Sequence, residues 1–477
     1  MQFAEMPRAP GGEGWAGHNA DFRNDRLGSL LRLARTGQPI LRLQLPVPGV
    51  HAAVVNDPDL VHEMHVEKAR SFLKSDMMRF ALYPLAGEGL FTANGELWQR
   101  QRKLMAPLFV PRAIESYADD MVACARRTVD AWRDDQRFEL LTETTRLTMS
   151  VAGKTLFDAD TFDEADELGH ALTVALEWSG WIVGRPFSVL HMVLKRRLER
   201  ASLGAPGWLA PELARAAEAF QGPVFLPGRR GAELRRAIAL LDERVQRMID
   251  EARQSAGERS DLLARLLSVR DESGAPMSDR QVRDEVLTLF VAGHETTATG
   301  LAWSLYLAAR HPEVYAALER EVDALSDDPT VADLPRLGLC ARVFKEALRL
   351  YPPVYIFGRD SHGEVSLGGY DLPSPTNILT SPLALHRNGA LFPDPERFDP
   401  ERFQPEAEAS RHRYAYLPFG AGPRICIGNH FAIMEAQLAL AVMLRRFRIE
   451  SIGDDVPHPG ATLRPERGVR VRVTKRR

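Results

Sequence analysis

The sequence predicts a mainly α-helical fold with a minor β region, in which residues 39–477 form one integrated domain. Three observations point there. Apolar residues recur at helical spacing over most of the 477-residue chain. Strand signals are few and come from segments far apart in the sequence. No internal repeat and no long low-complexity linker separates one region from another.

The strand signals can be placed first. The stretch "PILRLQLPVPGVHAAVVND" (39–57) reads as two strands around Pro48-Gly49. Short strands split by Gly and Pro are expected in "GEVSLGGYDLPSPTNILTSPLALH" (363–386), and "GVRVRVTK" near the end alternates like another. Helices are expected at roughly 57–66, 96–106, 111–132, 139–157, 163–184, 231–254, 259–269, 278–310, 312–325, 338–350 and 428–446. The first 38 residues, opening "MQFAEMPRAPGGEGWAGHNADF", show neither a signal peptide nor a spanning segment. They read as a flexible N-terminal lead-in without a membrane anchor. Residues 185–231 mix apolar clusters with Gly and Pro breaks. They read as the most mobile part of the chain, and no fixed helices are assigned to them.

Composition limits function. With 45% apolar and 26% charged residues the chain is an ordinary soluble globular protein, and a net charge of −3 gives no reason to expect nucleic acid as a partner. Cys124, Cys340 and Cys426 are odd in number and widely spaced. That argues against a disulfide framework and for a reducing, cytoplasmic setting.

One cysteine stands apart. In "FGAGPRICIGNHFAIMEAQLALAV" (419–442), two glycines and a proline precede Cys426, and apolar residues at helical spacing follow it. A helix beginning near Ile427 would set Cys426 at its N-terminus, where free N–H groups and the positive dipole end favour a thiolate. A purely structural cysteine needs none of this. Cys124 and Cys340 lie in amphipathic stretches and read as small core residues.

A second oddity is the helix of "SDRQVRDEVLTLFVAGHETTATGLAWSLYLAARHP", which starts with a capping box, Ser278 to Gln281, and stops at Pro312. Its apolar middle carries only His294 and Glu295 as charged or histidine residues, beside Gly293, Thr296 and Thr297. Its length would allow a transmembrane span, but the central acid and the charged first turns argue against one. The remaining readings are a bland buried helix, in which His294 is an ordinary satisfied histidine, and a helix lying against a buried cofactor. In the second reading Gly293 allows close approach while Glu295 and Thr296 offer a carboxylate and a hydroxyl.

These elements together resemble a known family. "FGAGPRICIG" fits Phe-x-x-Gly-x-Arg-x-Cys-x-Gly at Phe419, Gly422, Arg424, Cys426 and Gly428. "AGHETT" fits the same family's oxygen-activation segment, "EALR" supplies Glu346 and Arg349, and "FDPERF" supplies Arg402. In order and spacing the chain resembles a soluble bacterial-type cytochrome P-450, a haem-thiolate monooxygenase, from about residue 40 onward.

The resemblance implies the cytochrome P-450 fold around a buried haem b (iron protoporphyrin IX), with Cys426 as the axial ligand. The amides after Cys426 would hydrogen-bond its sulfur, Gly428 among them, and Phe419 would pack on the sulfur side of the ring. Arg424, Arg359, Trp98 and Arg102 become candidates for holding the propionates. Glu295 and Thr296 would organise proton delivery to dioxygen, the co-substrate. Glu346, Arg349 and Arg402 are structural: a buried carboxylate between two guanidiniums pins the loop before Cys426.

The chain shows no flavin or nicotinamide domain and no ferredoxin cysteine cluster. Electrons from NAD(P)H are therefore expected through separate proteins, a ferredoxin or flavodoxin with its reductase. Arg100, Arg102 and Lys103 would belong to the docking face. A monomer is expected. By analogy the substrate pocket draws on residues 70–92 (Phe72, Met77, Met78, Phe80, Leu82, Tyr83), on 178–192 (Trp178, Trp181, Ile182, Phe187), and on Val354, Ile356 and Phe357. Such a lining suits an apolar substrate. A fatty acid comes first, for which Arg79 offers a carboxylate partner, although a solvated surface arginine is the more ordinary reading of that residue; a terpenoid, steroid or polyketide is the alternative. Two other classes stay open: a non-oxidising haem-thiolate sensor, and an isomerase or dehydratase on the same fold that works without a reductase.

Overall fold

The computed structural model describes residues 1–183, 185–219, 228–255, 261–270, 274 and 276–476. Helices account for most of it, and the strands gather into small sheets, as the apolar spacing predicts. The longest helix, Asp279–Ala309, is the central one. Ser278 caps it, its hydroxyl oxygen accepting the Gln281 N–H at 3.2 Å. Only this half of the expected capping box forms. Pro312 opens the next helix, so the chain must turn between the two.

Around the central helix pack Leu140–Phe157, Gly338–Leu350 and Asn429–Arg446. The last of these buries Phe431, Met434, Leu438, Ala441 and Val442, the face its spacing predicts. It starts at Asn429 rather than Ile427, with Gly428 in the cap position. Cys426 therefore lies two residues before the cap, in the loop.

The largest sheet has five strands in the spatial order Ile40–Leu43, His51–Val55, Thr376–Thr380, Phe357–Ser361, Phe72–Lys74. The first two are the hairpin predicted around Pro48-Gly49. His51–Val55 runs parallel to Thr376–Thr380, and the remaining pairs are antiparallel. The register places Lys74 opposite Arg359. The strand predicted from "GVRVRVTK" is Arg470–Lys475, which lies between Gln136–Glu139 and Phe447–Ser451.

Residues 1–38 depart from the expected flexible lead-in. They contain two helices, His18–Asn24 and Arg26–Ala34, the second capped by Asp25, whose side chain accepts the Gly28 N–H at 2.9 Å. Leu30 and Leu33 are buried, as are Met6 and Ala9 beside the sheet. Main-chain hydrogen bonds tie Ala9 and Pro7 to Arg42. Leu27, Leu30, Leu31 and Leu33 give this segment an apolar stripe that the surrounding glycines obscure in the sequence. Within 185–231 two helices form, Pro186–Gly204 and Ala210–Ala219, while 220–227 lie outside the described residues. The helix expected at 259–269 is observed as Leu262–Ser268, its start likewise falling beside residues that are not described.

Candidate active site

The loop before Cys426 depends on its glycines. Gly420 and Gly422 have φ of +73° and +68°, and a Cβ on Gly422 would stand 1.8 Å from the carbonyl oxygen of His65. That carbonyl belongs to a widened π turn, Glu63–Glu67, which continues the helix Pro58–His62. The Cys426 N–H closes the loop on the Phe419 carbonyl at 2.8 Å. Phe419 itself is half-buried against the main core.

Cys426 is exposed in its loop, yet the protein packed around it still acts on its thiol. Burial pushes its pKa up, while the Gly428 N–H, Arg102 and Lys74 pull it back down. Hydrogen bonding by an amide after the cysteine is as expected; a net thiolate-favouring environment from the protein alone is not. An iron cation held there would supply the missing charge. Burial drives the other two thiols up, Cys124 to about 12 and Cys340 well above the ordinary value. Neither neighbours a pair of cations like Arg102 and Lys74.

Beside Cys426 lies a cluster of cations. Arg424 has its guanidinium carbon 4.3 Å from the centre of the Trp98 ring and donates to the Ala93 carbonyl and the Asn94 side chain, both at 2.9 Å. Asn94 also accepts the Lys74 N–H at 3.1 Å, tying the edge strand Phe72–Lys74 to the same point. Burial lowers the pKa of Arg359 to about 10 and that of Arg424 to about 9, the latter helped by Arg359 and Arg79. Lys74 is driven well below its ordinary range by burial, then by Arg359 and Arg424, and Arg102 is lowered by burial. None of Lys74, Arg102, Arg359 and Arg424 pairs with a carboxylate among the described residues. Uncompensated buried cations are costly, so the cluster requires anions.

This donor set fits haem. One sulfur donor and a group of unpaired cations match a macrocycle that carries a metal and two propionates. The central helix offers a matching wall. Val286–Phe290 and Thr297–Ala308 are buried, yet Ala292 is exposed and Val291, Gly293 and Thr296 are half-buried. An accessible stripe in the middle of the most central helix suits a flat partner. The helix also crosses the Asn429–Arg446 helix here, where Thr297 hydrogen-bonds the buried Glu435.

All four propionate candidates from the sequence thus meet near Cys426. Trp98 acts by bracing Arg424, and Arg102 turns inward toward the sulfur rather than joining an outer docking face. Lys74 and His65 escaped the sequence reading. His65 is buried beside Arg359 with its Nε2 unpartnered, and burial holds its pKa at about 3. Both reach the cluster through strand register and the π turn, which no local pattern announces.

Glu295 and Thr296 diverge. The Thr296 hydroxyl, on the accessible stripe, donates to the Ala292 carbonyl at 2.6 Å. Glu295 is only 8% exposed and accepts the Thr462 hydroxyl at 2.5 Å through Oε1, while its Oε2 is buried without a partner. Burial raises its pKa against the lowering effect of Thr462. His294 is satisfied on one side only: its Nδ1 lies 2.7 Å from the Phe290 carbonyl, and its Nε2 has no partner.

The structural triad forms as expected. Glu346 and Arg349, both fully buried, make a two-pronged pair at 2.6 and 2.8 Å, and Arg402 Nε lies 3.6 Å from Glu346. Arg349 also donates to the carbonyls of His386, Pro395 and Arg397, and Glu346 accepts the Asp399 N–H. The segment pinned directly is therefore 386–399.

The expected pocket residues split up. Phe72 packs in the core beneath the sheet, Val354 is exposed, and Trp178 and Trp181 line a cavity of about 350 Å³ beside Glu295. The side chain of Phe187 lies outside the described residues. Arg79 is already engaged: its Nε donates to the Thr92 carbonyl at 2.9 Å, and its guanidinium sits 3.6 Å from Glu88.

The cytochrome P450 family model matches residues 10–471. Cyclooctatin synthase of Streptomyces melanosporofaciens is 35% identical over 96% of this chain and 91% of its own. Pentalenene oxygenase of Streptomyces avermitilis is 31% identical over 98% and 97%. The solved structure of the cytochrome P450DA heme domain superposes with a TM-score of 0.79 at 27% identity, covering 99% of this chain and 98% of that one. No helix among the described residues is long and apolar enough to cross a membrane. The family model spans nearly the whole chain and two relatives, at 35% and 31% identity, cover it almost end to end, so the chain belongs to the cytochrome P450 family of haem-dependent monooxygenases.

Proposed function

We propose that the protein hydroxylates a cyclic terpenoid, using dioxygen and electrons delivered by a separate redox protein. The observation that carries the substrate reading is the engagement of Arg79 with Thr92 and Glu88, which leaves the one candidate fatty-acid anchor named from the sequence already partnered. The names of the relatives support the terpenoid alternative: pentalenene oxygenase, cyclooctatin synthase, and a cyclooctat-9-en-7-ol 5-monooxygenase that is 35% identical over 80% of this chain.

In this reading Cys426 provides the anionic sulfur donor, and Lys74, Arg102, Arg359 and Arg424 neutralise the propionates. Haem, when bound, supplies the iron at which dioxygen is reduced and the substrate oxidised. Thr296 spends its hydroxyl proton on Ala292 and keeps lone pairs to accept from a water, holding that water in line. Glu295 stays protonated to a higher pH than an exposed glutamate and can release its proton from the partnerless Oε2. The exposed Arg100, Lys103, Arg265 and Arg270 surround a recess of about 560 Å³, which supports docking of an acidic ferredoxin or flavodoxin.

The test is a titration of ferric holoprotein with cyclic terpene hydrocarbons and alcohols, and separately with fatty acids, followed in the haem absorption bands. A low-to-high-spin shift with the terpenes, and an oxygenated product on turnover, is expected. A shift with fatty acids alone overturns the substrate reading. Product formation that needs no electron donor would instead favour the isomerase or dehydratase reading.

A further inference from the structure

We propose that Thr462 is a positioning residue for Glu295, setting which carboxyl oxygen carries the proton that the active site draws from solvent. The inference rests on the proton-delivery reading of Glu295 and adds what that reading lacks, a reason for the carboxyl to present one defined oxygen.

Thr462 comes from the turn between the short strands Pro457–Pro459 and Leu463–Pro465, and it is 167 residues from Glu295 in sequence. Its hydroxyl donates to Oε1 at 2.5 Å. With Oε1 committed as an acceptor, the carboxylic proton belongs on Oε2, which is buried and unpartnered. An unpartnered carboxyl oxygen in a protein interior is costly unless a water or a proton-accepting group visits it.

The same site has a path outward. Glu295 and Thr462 both line the cavity of about 350 Å³, together with Glu177, Arg230, Glu233, His458 and Arg464. Arg464 pairs with Glu177 across it, and Arg230 stacks on Trp181 with 4.9 Å between guanidinium carbon and ring centre. Titratable and charged groups from three elements thus face the cavity: Glu177 from Ala165–Ile182, Arg230 and Glu233 from Arg229–Gln254, and His458 and Arg464 from the hairpin. A cavity so lined has the volume and the polar groups to take up water able to return a proton to Glu295 after each release. Thr462 and Glu295 meet at the wall of that cavity, joined by their hydrogen bond.

The experiment compares wild type, Thr462→Val, Thr462→Ser and Glu295→Gln as ferric holoproteins, with the ferrous carbon monoxide spectrum confirming intact haem in each. The first readout is the infrared carboxyl band that disappears in Glu295→Gln. Thr462→Val should move that band to higher frequency through loss of its hydrogen bond, and Thr462→Ser should restore it. The second readout is coupling on turnover: Thr462→Val should release several-fold more hydrogen peroxide per NAD(P)H than wild type, with rescue by serine. Thr462→Ala replaces the valine variant if the latter takes up haem poorly. A carboxyl band and peroxide yield unchanged in Thr462→Val, while Glu295→Gln uncouples, overturn this inference alone. No uncoupling in Glu295→Gln would overturn the proton-delivery reading beneath it.

Discussion

Arg424 lies on the face of Trp98, its guanidinium carbon 4.3 Å from the ring centre. The two belong to motifs more than 300 residues apart in the sequence, and Arg424 is further braced by Ala93 and Asn94 just before the Trp98 helix. The cation nearest the cysteine in sequence is thus held by the segment that also carries Arg102.

Trp98→Leu should weaken haem retention while leaving the fold intact. A desolvated cation–π contact is worth about 1–2 kcal/mol. Haem transfer to an apo-acceptor protein should therefore speed up on the order of tenfold, and Arg424→Ala should do at least as much. Equal transfer rates in wild type and Trp98→Leu would show that the stacking does not hold Arg424 for the cofactor.

Breaking the buried triad should cost more. Glu346 and Arg349 are fully buried, and removing one partner strands the other, a loss of about 3–5 kcal/mol. Glu346→Gln should lower the urea midpoint and yield largely haem-free protein, because the 386–399 segment loses its anchor. Full haem content in that variant would refute the anchoring role.

These two cases show what the sequence could and could not carry. Glu346, Arg349, Arg402, Arg424 and Cys426 sit in short local patterns, so they could be picked out from the sequence alone. Lys74 and His65 were not, since Lys74 meets Arg359 only through antiparallel register and His65 enters through a π turn. The helices at His18–Asn24 and Arg26–Ala34 were masked by the glycines around their apolar stripe. Thr462 is tied to Glu295 by tertiary contact alone. Arg79 illustrates the converse: its charge was visible, but its engagement with Thr92 and Glu88 was not.

Stability should fall as pH rises from about 5 to 8, in part through Glu285. This buried carboxyl accepts the Leu90 N–H at 2.9 Å, and burial raises its pKa to about 8. An acid with a raised folded pKa binds its proton more tightly when folded. The unfolded chain releases that proton near pH 4.5 while the native state keeps it, so unfolding becomes easier with rising pH until the native group also ionises. The linked change is on the order of 5 kcal/mol. Unfolding free energies measured between pH 5 and 8 should slope downward in wild type and flatten in Glu285→Gln. Identical slopes would show that Glu285 ionises normally.

Thr296→Ala should uncouple the reaction. Substrate-induced spin shifts should stay within about twofold of wild type, while product per NAD(P)H falls and hydrogen peroxide rises. Unchanged coupling would remove Thr296 from proton delivery.

The central claim is that Cys426 is the haem ligand, and the ferrous carbon monoxide spectrum of the holoprotein tests it most directly. The account predicts the red-shifted Soret band of thiolate-ligated haem in wild type and its loss in Cys426→Ser. A band at the position of histidine-ligated haem, or a red-shifted band that survives Cys426→Ser, would contradict it.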